Sequence, residues 1–135
     1  MLKCVAVVLS LLAACGCSGQ KQATVEDVKS QLTEAISLAA AAELTLERSE
    51  AGATPAAFRS ADLDYLREQI DDNLKEFEKK QPPLEAKSAA DECRDGLKKL
   101  RDDLSLAGSD SSDQPSLKSR IHNIRGTLQR AKASL

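Results

Sequence analysis

Few side chains in this 135-residue sequence could do chemistry: Cys4, Cys15, Cys17 and Cys93, the single His122, and the acid pairs Asp71-Asp72 and Asp102-Asp103. A thiol can serve as nucleophile, metal ligand or half of a disulfide, according to its ionisation and its neighbours. A zinc or di-iron centre needs several ligands, and in helical bundles the second kind is marked by Glu-x-x-His pairs. No such pair occurs, and one histidine does not fill a coordination sphere. His122 follows Ile121, a member of an apolar stripe, so it is expected beside the core and at least partly exposed. To act in a triad it would need a Ser and an Asp converging on it, and no Gly-x-Ser-x-Gly is present. Walker-type and dinucleotide glycine motifs are also missing. Adjacent acids on a helix read as solvated faces. The chemistry therefore points away from an enzyme, and no metal and no cofactor is expected.

Composition narrows the partners. Nineteen basic residues against 21 acidic ones, with a pI near 5.5, argue against a nucleic-acid binder. Two Phe, one Tyr and no Trp leave little on which bases could stack. At 41% hydrophobic and 30% charged the chain has the make-up of an ordinary globular domain.

The cysteines are best understood from what precedes them. Met1-Leu2-Lys3 is a short basic start, Val5 to Leu12 is an apolar run, and Ala13-Ala14 are small. This is the layout of an export signal, and the run is too short to span a bilayer, which takes roughly 20 residues. Leu12-Ala13-Ala14-Cys15 resembles the lipobox of bacterial lipoproteins. The resemblance covers residues 1–15. It implies that the Cys15 thiol takes a diacylglyceryl group in a thioether, that a peptidase cuts between Ala14 and Cys15, and that the freed amino group is acylated. Cys17 lacks the large apolar residue at the matching distance. Each buried methylene contributes about 0.8 kcal/mol, so two or three acyl chains hold a protein firmly where one holds it marginally. The resemblance thus implies a membrane location on the exported side, with membrane lipid as the partner of Cys15. Gly16, standing where an Asp would favour inner-membrane retention in Gram-negative families, leans toward the outer membrane. Loss of residues 1–14 removes Lys3 alone among the charged residues, so 19 bases become 18 against 21 acids, a net of −3.

The elements follow from periodicity. Residues 1–14 are the signal peptide. Residues 15–23 hold the lipidated Cys and a small, polar, aperiodic tether. Residues 24–135 are the folded domain. Thr24 caps a first helix with Asp27 three residues on. Its stripe is Val25, Val28, Leu32, Ala35, Ala39, Ala42 and Leu46, widened by Ile36, and Gly52 ends it. Thr54 and Pro55 start a second helix as cap and first helical residue, with Ser60 as an alternative cap. Its stripe is Leu63, Leu66, Ile70, Leu74 and Phe77, and Pro82-Pro83 closes it. A third helix runs from about Pro83 to Leu106 through Ala86, Ala90, Cys93, Leu97, Leu100 and Leu104, weakened by Gly96. Asp113 or Gln114 begins a fourth, with Leu117, Ile121, Ile124, Leu128, Ala131 and Leu135. No strict alternation of period two appears. The expected fold class is all-α: an antiparallel up-down four-helix bundle behind the signal peptide.

Charge is uneven. The first helix has six acids and two bases, and the fourth has Lys118, Arg120, Arg125, Arg130 and Lys132 with no acid. Mutual attraction between neighbouring helices is one reading. A basic face for an envelope protein or an anionic polymer is the other. Cys93 falls on the core stripe and reads as a small hydrophobe. Asp71 to Lys79 resembles a helix of the cytochrome b562 type of exported haem bundle, which holds its haem between a Met and a His. The mature chain has no Met, which departs from that pattern. The function expected is a lipid-anchored helical bundle with a binding or structural role in the cell envelope. The alternative is a periplasm-facing carrier of a cofactor or small ligand in a four-helix bundle pocket, for which the alanines at 39–42 could leave room.

Overall fold

A computed structural model of the chain describes residues 21–108 and 113–135. The signal peptide, the Ala14/Cys15 cleavage point, the lipid attachment at Cys15 and tether residues 16–20 lie outside the described residues. Four helices make up nearly all of what is described: α1 (Val25–Glu50), α2 (Ala56–Lys79), α3 (Lys87–Ala107) and α4 (Gln114–Ala133). The protein is an all-α four-helix bundle. Among the described residues no helix is long and apolar enough to cross a membrane.

The helix ends show which local signals act. Thr24 and Asp27 form a reciprocal cap: the Asp27 N–H donates to Thr24 Oγ1 at 3.1 Å, and the Thr24 N–H donates to Asp27 Oδ2 at 2.8 Å. Gly52 takes the one positive φ among the described residues, +66°, past the end of α1. The second helix starts one residue later than the Thr-Pro signal implies. Pro55 keeps an extended ψ of 146° and is itself the cap, its carbonyl accepting from Phe58 and Arg59, while Thr54 makes no capping bond. Ser60 lies inside the helix. The start expected near Pro83 is a short 3-10 turn, Leu84–Ala86, before α3 proper. Asp113 caps α4, its side chain accepting from Ser116 N, with Pro115 in the first turn.

One feature has no counterpart in the periodicity. Lys21–Gln22 (β1) pairs in parallel with Lys80–Gln81 (β2), in the register Lys21 to Lys80 and Gln22 to Gln81. The Ala23 N–H adds a bond to the Gln81 carbonyl at 2.8 Å, and Ala23 is only 7% exposed. Residues 21–23, which composition reads as tether, therefore belong to the fold. The cause is next door: a residue before proline is pushed out of the α region, so the chain entering Pro82-Pro83 is extended and offers a strand edge. Lys80 Nζ also lies 3.6 Å from Asp27 Oδ1, tying the ladder to the α1 cap.

Contacts pair opposite ends of neighbouring helices. Arg59 reaches the Ala107 carbonyl, Asp71 meets Arg101, and Phe77 lies under Arg94, so α2 and α3 run against each other. Lys118 meets Glu50 and Arg125 meets Glu43, which sets α4 against α1. Arg120 meets Asp103, which sets α4 against α3. Between them Leu32, Leu46, Ile70, Leu97, Leu100, Leu104, Leu117, Ile121 and Leu128 are fully buried. Each such side chain contributes about 1.5–3 kcal/mol relative to exposure. α1 also packs against α3, and both helices supply buried alanines: Ala35, Ala39 and Ala42 from one, Ala89 and Ala90 from the other. Val25, Leu74 and Leu135 are only partly buried, and Asn73 takes a buried place on α2 with its amide donating to the Gln69 carbonyl.

Candidate functional site

The most polar part of the interior is the seam between α1 and α4. Glu43 follows the alanine run of α1 and is almost wholly buried. Arg125, one face of α4 away from the apolar stripe, brings Nη1 to 2.9 Å from Glu43 Oε2. His122 Nδ1 lies 3.4 Å from Glu43 Oε1 but without hydrogen-bond alignment, so that oxygen is left without a donor. Arg125 Nη2 stands 3.5 Å from the same ring nitrogen, a contact in which the nitrogen would accept. The His122 side chain is 67% exposed, as its place beside the stripe predicts. This group holds one carboxylate, one guanidinium and one imidazole with no nucleophile beside them. Its chemistry is that of an ion pair fastening two helices.

The other bases of α4 divide in two. Lys118 Nζ is 3.1 Å from Glu50 and 3.9 Å from Glu47 on α1, and Arg120 Nε is 3.0 Å from Asp103 on α3. Among the described residues the Arg130 side chain bonds to the Thr127 hydroxyl of its own helix and meets no carboxylate, and neither does Lys132. Among the described residues, three of the five bases are thus engaged with neighbouring helices, and two at the C-terminal end are not.

The acid pairs do not act as pairs. Asp102 faces Arg101 while Asp103 faces Arg120; Asp71 faces Arg101 while Asp72 faces Lys75 at 2.9 Å. A shared-proton dyad needs two carboxylates on one site, and here neighbouring acids point to different cations. A groove of about 510 Å³ runs between α3 and α4, floored by Gly96 and Ile124 and rimmed by Glu92, Asp95, Lys99, Asp102 and Arg120. At Gly96 the two helices approach closely: an added Cβ would meet Leu128 Cδ2 at 2.8 Å. Ala39 and Ala42, the residues beside which a ligand pocket was expected, are fully buried in the core.

Cys93 is buried with a free thiol, and burial pushes that thiol up to about 12. It is a poor nucleophile and packs as a hydrophobe. Among the described residues there is no group of three or more His, Cys, Asp or Glu side chains that could hold a metal ion.

Sequence reasoning missed Glu43 as a buried group and Gly96 as a contact. For Glu43 a signal existed: it follows Ala42 directly, so it borders the stripe and faces the most basic helix. For Gly96 there was none, since its partner Leu128 is thirty-two positions away. No family model matches this chain, and neither the curated proteins nor the solved structures contain a match to it.

Proposed function

We propose that this chain is a bacterial envelope lipoprotein, fixed to a membrane through acylated Cys15 and carrying a small helical bundle with a binding or structural role. The observation that carries the reading is Leu12-Ala13-Ala14-Cys15 at the end of an apolar run, behind a basic start. The site chemistry is compatible with it. The charged groups of the bundle pair with one another both within helices and across their seams, and form no reaction centre among the described residues. The mechanism is display: acyl chains hold the bundle at the lipid surface, and a helix face meets an envelope protein or an anionic polymer. For a polymer, Arg130 and Lys132 are the α4 bases that no acid of a neighbouring helix engages among the described residues.

The test is crosslinking and membrane fractionation in a native-type host, with wild type beside Cys15→Ser. The reading expects wild type in the membrane fraction and the variant released. It also expects crosslinked partners that depend on Cys15. Retention of Cys15→Ser in the membrane fraction overturns the anchoring.

A further inference from the structure

Resting on that anchoring, we propose that the end of the bundle built from β1, β2 and the 84–86 turn is a lipid-contacting face, with Leu84 entering the bilayer interface. Leu84 is 87% exposed, the most exposed large apolar side chain among the described residues. It stands three residues beyond the β1–β2 ladder, at the end where the chain arriving from Cys15 enters the fold.

Chain length selects this end. From Cys15 to Lys21 is six residue steps, about 20–22 Å at full extension. The ladder, the Ala23 bond and the Lys80–Asp27 contact hold the arriving chain at this end of the bundle. α1 has 26 residues, so it is about 39 Å long at 1.5 Å per residue. The far end, where Phe58 is 66% exposed beside the end of α1, lies beyond that reach. Exposed apolar side chains thus stand at both ends, Leu84 at this one and Phe58 with Leu106 at the other, and the tether keeps only the first next to the anchor.

Charge at this end is slightly basic. Lys21, Lys79, Lys80 and Lys87 are set against Glu26, Asp27, Glu78 and Glu85, and α4, whose last turn lies toward the start of α1, adds Arg130 and Lys132. The excess of base is small, and a zwitterionic surface isolates the contribution of Leu84 from it. Insertion of one leucine beside a covalent anchor fixes orientation more than it adds affinity, because the acyl chains already hold the protein.

The chain has no Trp, so Leu84→Trp and Phe58→Trp each place a single reporter on an exposed site. Each variant, made as the full chain in a lipidating host, is reconstituted into phosphatidylcholine vesicles with brominated or plain acyl chains. Intact mass is read first, and far-UV circular dichroism verifies the helices. The proposal expects acylated protein in which the reporter at 84 is blue-shifted and quenched several-fold by bromolipid, while the reporter at 58 is unchanged. Acylated protein with no quenching at 84, or with equal quenching at both sites, overturns the lipid-contacting face and leaves the anchoring intact. A bare Cys15 overturns the anchoring reading and this proposal with it.

Discussion

A methyl group added at position 96 would sit 2.8 Å from Leu128 Cδ2 and 3.3 Å from its Cγ, so that this fully buried side chain would have to shift. Glycine in a helix interior ordinarily costs about 0.5–1 kcal/mol against alanine, so propensity alone predicts that Gly96→Ala stabilises. Overpacking of a filled core costs about 1–3 kcal/mol, and here that effect wins. Chemical denaturation should show Gly96→Ala less stable than wild type; a stabilised variant would mean that α3 and α4 do not meet so closely. Cys93 gives a pH-dependent counterpart. Its thiol is raised from 9.0 to about 12 by burial. Below about pH 9 folded and unfolded states both hold the proton, so the thiol adds no pH dependence. Between about pH 9 and 12 only the unfolded thiol ionises, and stability falls by up to about 1.4 kcal/mol per pH unit. Denaturation across that range should be steeper for wild type than for Cys93→Ala. Equal slopes would show an accessible thiol. That Cys93 is buried was legible, because it sits on the stripe with Ala90, Leu97 and Leu100. The role of Gly96 was not, because a close approach belongs to two helices and to neither sequence segment alone.

At the scale of elements the seam between α1 and α4 is the informative one. Exposed ion pairs contribute about 0–1 kcal/mol, and Lys118 with Glu50 is of that kind, so Lys118→Gln should leave stability nearly unchanged. Arg125 differs because its partner is buried. Removing the guanidinium leaves Glu43 with one oxygen newly unpaired beside another that already lacks a donor, a loss of about 1.5–3 kcal/mol. Melting curves of Arg125→Gln and Lys118→Gln would check this, and equal small losses would place Glu43 in contact with water. The charge asymmetry of these helices, visible as six acids against five bases, is accounted for in part by mutual attraction. The four apolar stripes were readable because helical period repeats over about twenty residues, enough for the pattern to exceed chance. The β1–β2 ladder has two residues on each side, too few to show any period. Its trace in the sequence is indirect: Pro82-Pro83 forces the preceding residues extended, and what pairs with them is some sixty positions away.

For the whole molecule, a compact bundle is entered by its own N-terminal segment, and the proposed anchor at Cys15 lies six residue steps upstream of β1. Most of the fold was legible, since four amphipathic segments with short connections admit few arrangements. The anchor proposed at Cys15 rests on the sequence alone, since it lies outside the described residues, and binding surfaces on a helical bundle need no special residue types and leave no motif. Partner binding on such a domain would depend on where the acyl chains hold it, so the central claim is the modification itself. The most direct measurement is the intact mass of the mature protein isolated from its native host, with fragmentation of the first peptide. The account predicts a chain beginning at Cys15 and bearing a diacylglyceryl thioether and an acylated amino group. A chain that begins elsewhere, or that begins at an unmodified Cys15, would contradict it.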